Sequence, residues 1–249
     1  MISRIGPLGS RLPVPFCLAL LAACAGPNSN ATSVRSQITV GERMLDNGDF
    51  GKGYALLDKV EKHNPRSNEA AVELANAYFR QNALLKAEAQ YRKAIGLGAW
   101  SRGLVGIAKV NLARNNPEAA EPYLRKVLER DPGNVAALNA MGVACDLRGQ
   151  HDKARQYYET ILASSPSNKE ALNNLSLSLA LSGRPREAYP FIAELSRSNQ
   201  DDRVVRQNLA LIQYLSGDRE RAMRTARVDL TEGQARQNFA QVSKTGIGL

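Results

Sequence analysis

The architecture of this chain can be read from residues 135–168, VAALNAMGVACDLRGQHDKARQYYETILASSPSN. Small and turn-forming residues of this stretch recur elsewhere at intervals of 34. They are Gly149, Gly183 and Gly217; Ala120, Ala154, Ala188 and Ala222; and Pro132 and Pro166. Glycine, alanine and proline have different structural roles, so their common interval indicates one repeating structural unit.

The first half of the unit has apolar residues at the spacing of one helix face, namely Leu138, Met141 and Cys145. Gly149 follows, and glycine readily adopts the left-handed backbone conformation that ends a helix. The second half repeats the apolar spacing until Pro166, which cannot continue a helix. The unit is therefore a pair of helices joined by a turn.

Small side chains mark where the two helices of a unit approach each other. Gly142 lacks a Cβ atom, so a neighbouring helix can come close there, and Ala154 marks the contact on the second helix. A helix–turn–helix unit of 34 residues with these features is the signature of the tetratricopeptide repeat (TPR).

The same frame extends in both directions from residues 135–168. The repeats are predicted at 34–67, 68–100, 101–134, 135–168, 169–202 and 203–236, followed by a C-terminal tail at 237–249. No run of alternating β-branched residues competes with helices. We expect an all-α TPR solenoid of about six helix–turn–helix repeats that forms a right-handed superhelix.

The first 23 residues have the pattern of an export signal, with basic Arg4 and Arg11 before an apolar stretch at 12–23. Twelve residues are too few to span a bilayer as a helix. The run Leu21-Ala22-Ala23-Cys24 resembles the lipobox of bacterial lipoproteins, which implies cleavage before Cys24 and covalent lipid on that residue.

Residues 24–33 then form a lipidated cysteine and a flexible tether. Two alternatives remain. The segment is an ordinary signal peptide in which Cys24 is incidental, or the start is misassigned and the repeat protein is cytosolic.

Residues that could support catalysis are few. His63 and His151 are the only histidines; each lies beside a turn and is expected at the surface, without metal-ligand spacing. Cys145 falls at a packing position and is expected to be a buried, unreactive thiol. No glycine-rich phosphate loop occurs. We expect no enzyme, no metal site, no cofactor apart from lipid on Cys24, and no small-molecule substrate.

The net charge of +9 is concentrated near the C-terminus, where Arg221, Arg224 and Arg227 share one helix face. This face is either simply solvated or directed at anionic lipid, cell wall or an acidic partner. Nucleic acid is not expected as a partner, because the chain is expected to be exported and has neither a recognition motif nor aromatic residues interleaved with the basic ones.

In TPR proteins the first helix of each repeat lines an inner groove, and this resemblance implies the candidate partner-binding residues here. They are Asn76, Phe79, Arg80, Arg102, Lys109, Asn139, Val143, Asp146, Asn173, Leu177, Gln207, Leu211 and Tyr214, with Val72, Val105 and Leu112 beside them. Asn139, Asn173 and Gln207 are spaced by 34 and could bond a peptide backbone. The alternative is that these are ordinary solvated helix positions.

Three runs suggest a narrower family: NLSLSLALSG at 174–183, QNLAL at 207–211 and ARVDLTEGQARQNFAQV at 226–242. Together with the lipobox, they resemble the TPR lipoproteins of tight-adherence (Flp) pilus assembly, the TadD type. Ser176 departs from the glycine that is usual there.

The resemblance implies a lipid-anchored, periplasm-facing protein of the outer membrane. Such a protein would help to assemble or localise the pilus secretion apparatus, with the secretin pore as one implied partner. The alternative is a TPR lipoprotein of another envelope machine, such as a secretin pilotin of type IV pili or a partner in cell-wall synthesis.

Overall fold

The computed structural model describes the backbone of residues 27–244 and the side chains of residues 33–240. Within these residues the chain is helical throughout, without strands, so the predicted all-α class is confirmed. The helices are α1 (Pro27–Asp46), α2 (Phe50–His63), α3 (Asn68–Arg80), α4 (Leu84–Gly96), α5 (Trp100–Ala113), α6 (Pro117–Arg130), α7 (Val135–Leu147), α8 (His151–Ser164), α9 (Lys169–Leu181), α10 (Pro185–Ser198), α11 (Arg203–Leu215), α12 (Arg219–Ala226) and α13 (Glu232–Lys244).

Consecutive helices pack against each other, and each odd-numbered helix up to α9 also contacts the next odd-numbered helix. Among the described residues, the even-numbered helices pack chiefly on their neighbours in the chain. The odd-numbered helices therefore lie closest together and form the inner face of the solenoid, whereas the even-numbered helices form the outer face.

The turns inside the repeats depend on residues that tolerate a left-handed backbone. Gly149, Gly183 and Gly217 have φ angles of 69°, 78° and 92°. Asn82 and Asn115 occupy the corresponding turns of two earlier repeats with φ of 54° and 55°. Asparagine is one of the few residues other than glycine that adopts this conformation readily, so the turn survives where the glycine is missing.

Small residues permit the close helix contacts that the sequence predicts. A Cβ atom on Gly142 would lie 2.4 Å from Cε1 of Tyr158 on α8. Ala154, Ala188 and Ala222 are all buried at 0 % exposure in the same position of successive repeats. The interior is dense at these points, so an added carbon atom requires a shift of the packed helices.

Both ends of the solenoid differ from the prediction. Helix α1 begins at Pro27, so residues 27–33 of the predicted flexible tether are helical. Proline suits the first turn because its missing N–H would have no helical partner there. Residues 237–244 of the predicted tail belong to α13, where the Phe239 ring stacks on Tyr214 at a centroid distance of 4.5 Å. Helix α13 thus covers the apolar end of the last repeat.

The predicted signal peptide, 1–23, and the predicted lipid attachment residue Cys24 lie outside the described residues. The helices of residues 27–244 include no segment that could span a lipid bilayer.

Candidate functional site

All thirteen predicted groove residues lie on odd-numbered helices, from α3 to α11. Their accessibility differs. Arg80 and Arg102 are exposed, most of the others are half-buried, and Asn139 retains only 3 % of its accessible surface. Phe79 and Leu211 pack against the core. The inner face therefore mixes groups that a partner can reach with groups that hold the repeats together.

A cavity of about 210 Å³ opens on the inner face between α3, α5 and the start of α7. Five residues that sequence analysis placed in the groove line it: Val72, Asn76, Arg102, Val105 and Lys109. The remaining lining residues are Tyr91, Ser101, Gly106, Asn134 and Ala136. Two valines beside cationic and amide groups can hold a segment that has both apolar and polar side chains.

The floor of this cavity is fixed by Tyr91, which reaches in from α4. Its hydroxyl donates a hydrogen bond to Oδ1 of Asn76 at 2.7 Å. Burial raises the pKa of Tyr91 to about 12, so the hydroxyl keeps its proton at neutral pH. The ring fits because Gly106 has no side chain, since a Cβ atom there would lie 2.2 Å from Cε1 of Tyr91.

Two cations stand at the rim of the cavity. Arg102 lies 3.0 Å from the Glu69 carboxylate, and Nζ of Lys109 lies 4.0 Å from the Glu170 carboxylate on α9. The Arg102 and Lys109 side chains remain 50 % and 35 % exposed. Exposed ion pairs of this kind stabilise a protein by only about 0–1 kcal/mol. The carboxylate of a partner can therefore replace Glu69 or Glu170 beside these cations.

The guanidinium group of Arg80 is paired with a carboxylate of the protein itself. Its Nε atom donates to Glu42 of α1 at 2.6 Å, and Arg35 pairs with Glu73 of α3 at 2.7 Å. These ion pairs link the first two inner helices. Arg80 is therefore better described as a contact between repeats than as a free binding group.

A chain of hydrogen-bonded amides crosses α7, α9 and α11. Asn139 donates to Glu170 at 2.7 Å and accepts from Asn174 at 3.0 Å. Asn173 donates to Asn174 at 3.2 Å and accepts from Asn208 at 2.8 Å. The chain therefore connects three repeats through their inner helices.

This chain replaces the predicted ladder of Asn139, Asn173 and Gln207. Asn174 and Asn208 are the functional neighbours that sequence analysis missed, although they too are 34 residues apart. Gln207 takes no part and donates instead to Asp229 at 2.8 Å. Asn139 is too buried to meet a partner directly.

The C-terminal end of the predicted groove is filled by the chain itself. Arg206 binds both carboxylate oxygens of Asp229, at 2.8 and 2.5 Å, and holds the pKa of that carboxyl below its usual value. Gln207 binds the same carboxylate, and Tyr214 is stacked on Phe239 of α13. The groove that a partner can enter is consequently shorter than predicted.

Asp146, another predicted groove residue, has three partners inside the protein. Its carboxylate accepts from Nδ1 of His151 at 2.8 Å, from the Tyr158 hydroxyl at 2.8 Å and from the Ser178 hydroxyl at 2.7 Å. These bonds join α7, α8 and α9. Burial and the adjacent Asp146 carboxylate raise the pKa of Tyr158.

The same network corrects the expectation that His151 is a surface residue, since its side chain is 21 % exposed and bound to Asp146. The Ser178 hydroxyl donates to the Asp146 carboxylate and contacts the His151 backbone carbonyl oxygen at 3.5 Å rather than the His151 ring, so the three groups do not form a nucleophile and base. His63 is exposed. Cys145 is a buried free thiol whose pKa is raised by burial, as predicted. No cluster of potential metal ligands occurs in the described part of the chain.

The three arginines of the predicted basic face, two on α12 and Arg227 directly after it, each have an acidic neighbour. Arg224 pairs with Glu220, Arg221 with Asp218 at 3.3 Å, and Arg227 lies 3.9 Å from Glu232 at the start of α13. All three arginines are exposed. Their positive charge is thus partly compensated at short range.

Comparison with known proteins agrees with the fold. One sequence pattern described as a tetratricopeptide repeat matches residues 41–101 and 105–169, and a second matches residues 147–212. No curated protein matches the chain at a significant level.

Solved structures with a similar fold include a TPR protein from Parabacteroides merdae, with a TM-score of 0.57, 19% identity and coverage of 87% of this chain and 90% of the other. A thermophilic TPR protein of Thermus thermophilus, TTC0263, has a TM-score of 0.59, 20% identity and coverage of 73% and 99%. PilW, a type IV pilus biogenesis factor, has a TM-score of 0.59, 19% identity and coverage of 84% and 94%.

These likenesses, at such low identity, concern the fold alone. The repeat patterns, in contrast, match more than half of the chain and follow the helix pairs of the structure. The chain belongs to the tetratricopeptide repeat family.

Proposed function

We propose that this protein is a non-enzymatic scaffold that binds a segment of a partner protein along its inner face. In this proposal it is anchored by lipid on Cys24 to the outer membrane, faces the periplasm and assists assembly or localisation of the Flp pilus secretion apparatus. The cavity between α3, α5 and α7 is the observation that supports binding most directly. The lipobox and the runs at 174–183 and 226–242 support the cellular role.

The chemistry of the cavity suits a peptide segment with an acidic residue. Val72 and Val105 are largely buried and line the cavity with apolar atoms. The Asn76 oxygen accepts from Tyr91, and its amide nitrogen is a donor that a partner can use. Arg102 and Lys109 supply positive charge at the rim. An extended or helical segment can use all three features together.

The test is capture of partners by the full, membrane-anchored protein, with reversal of the rim charges. Arg102→Glu and Lys109→Glu together are expected to lose the captured pilus-secretion components, because they repel an acidic segment. Lys126→Glu, on α6 of the outer face, is the matched control and is expected to retain them. Equal capture by both variants, each with unchanged helicity, would place the interaction elsewhere.

A second candidate is a TPR lipoprotein of another envelope machine. The similarity to PilW, a type IV pilus biogenesis factor, shows only that the same fold occurs in such a machine. Genes for a pilin, a prepilin peptidase and a secretion ATPase beside the gene for this chain would favour the Flp apparatus. Capture of type IV pilus or cell-wall synthesis proteins would favour the second candidate.

A further inference from the structure

We propose that the chain has a second binding site, which takes a carboxylate-bearing segment of a partner protein in a cleft between α10 and α12. The cleft has a volume of about 260 Å³ and lies on the side of the even-numbered helices. Its lining residues are Arg186, Tyr189, Gln213, Ser216, Asp218 and Arg221. None of them belongs to the inner cavity, so this inference does not rest on the inner groove.

Gln213 is the first observation that indicates a ligand. The residue is 4 % exposed, and its Oε1 atom is buried without a hydrogen-bond partner among the described residues. The corresponding positions one and two repeats earlier hold Leu179 and Cys145, both buried. A glutamine at this packing position costs stability unless an N–H or O–H group from outside satisfies its oxygen.

The charges around the cleft are the second observation. Arg186 is exposed and has no carboxylate within ion-pair distance among the described residues. Arg221 donates to the Tyr189 hydroxyl at 3.2 Å and lies 3.3 Å from the Asp218 carboxylate. Two guanidinium groups thus face one carboxylate, which leaves the cleft positive. Guanidinium groups match carboxylates in geometry and charge.

The previous repeat lacks both features, although its backbone is the same. One repeat earlier, Asp152 stands in place of Arg186, Glu187 in place of Arg221 and Leu179 in place of Gln213. The unpartnered amide oxygen and the positive charge therefore occur together in the last two repeats. Shared packing requirements of the repeat do not explain them.

A second cavity of about 400 Å³ adjoins the cleft and shares Arg186 and Ser216 with it. Pro185 and Leu215 give it apolar surface. The combined shape suits a peptide rather than a free ion. The peptide carboxylate lies between Arg186 and Arg221, a neighbouring backbone N–H donates to Gln213, and the rest of the segment lies over the second cavity.

The test uses the full chain and three fluorescein-labelled hexapeptides in a polarisation assay. One has an internal glutamate and an amidated C-terminus, one has a free C-terminal carboxylate and no acidic side chain, and one has neither carboxylate. We expect the third peptide not to bind and at least one of the others to bind. Which of the two binds shows whether the cleft takes the carboxylate of a side chain or of a C-terminus. Equal polarisation with all three peptides would refute the proposal. So would displacement by inorganic phosphate at the concentration at which unlabelled peptide displaces the probe.

Variants locate the binding. Arg186→Gln is expected to weaken it roughly 10- to 100-fold, as for loss of a hydrogen bond to a charged group. Gln213→Leu is expected to weaken it about 3- to 10-fold. The Leu variant should also raise the melting temperature, because leucine occupies this position one repeat earlier. Arg197→Gln, at an exposed arginine of α10 outside the cleft, is the control and should bind as wild type. Unchanged binding in Arg186→Gln or in a folded Gln213→Leu variant would contradict the site.

Discussion

Replacement of Gly142 by alanine tests whether close helix contact at the small positions holds the repeats together. The new Cβ atom would lie 2.4 Å from Cε1 and 2.6 Å from Cζ of Tyr158. Tyr158 is fully buried and cannot swing into solvent. Its ring must therefore shift, and the hydroxyl then loses its 2.8 Å contact with the Asp146 carboxylate.

Three effects set the magnitude. Overpacking of a core contact costs about 1–3 kcal/mol. Loss of the hydrogen bond to the charged Asp146 group costs ~1.5–3 kcal/mol. Alanine is the better helix former by roughly 1 kcal/mol, which offsets part of this. The net destabilisation of Gly142→Ala is thus about 1.5–5 kcal/mol, or a fall of roughly 3–20 °C in melting temperature for a chain of this size.

The assay is thermal and urea unfolding followed by circular dichroism at the helix band. Gly51→Ala is the matched control, because this helical glycine has no atom within 4 Å of the position its Cβ would take. The control should be neutral or stabilised by up to ~1 kcal/mol. If Gly142→Ala unfolds at the same midpoint as Gly51→Ala, the contact with Tyr158 does not exist as described.

Three further outcomes are expected. Ala188→Leu should destabilise the chain by ~1–3 kcal/mol in urea unfolding, because Ala188 is fully buried between packed helices; an unchanged midpoint would refute the contact. Asn139→Ala should lower stability by about 1–3 kcal/mol, because it removes the hydrogen bonds that Asn139 makes to Glu170 and Asn174; a loss of binding with no loss of stability would contradict the amide chain. Cys24→Ser should leave an unprocessed precursor or release the protein from the outer-membrane fraction, and normal processing and fractionation would exclude the lipid anchor.

Much of the backbone was predictable because the turn residues of each repeat recur at a fixed spacing. Gly149, Gly183 and Gly217 end their helices with positive φ, as their position requires. Asn115 also adopts a positive φ at the corresponding turn, although it is not a glycine. A strict search for glycine misses that turn, whereas a search for residues that tolerate the left-handed region finds it.

The site was harder to predict, because side-chain pairing depends on neighbours that are distant in sequence. Spacing placed Asn139 and Asn173 on the inner helices, but their partners are Glu170, Asn174 and Asn208 on other repeats or adjacent positions. A period of 34 identifies the residues that occupy equivalent positions in successive repeats. It does not say which of two adjacent amides turns toward the neighbouring helix.

The C-terminal helix was missed although the sequence contains a signal for it. Ala235 and Phe239 are four residues apart and both are buried in α13. The repeat frame places Ala235 at the end of the last predicted repeat and Phe239 in the predicted tail, so periodicity alone divides this helix in two. Stacking of the Phe239 ring on Tyr214 of α11 favours a helix that covers this end of the solenoid.

Site-specific photo-crosslinking in intact cells tests the central claim, that partners bind the inner face, most directly. A photoreactive phenylalanine derivative would replace Val143 or Leu177, half-buried positions on α7 and α9, or Thr160, an exposed position on the outer face of α8. We predict that Val143 and Leu177 each give a crosslink to the same partner protein and that Thr160 does not. A crosslink to that partner from Thr160, with none from Val143 or Leu177, would contradict the account.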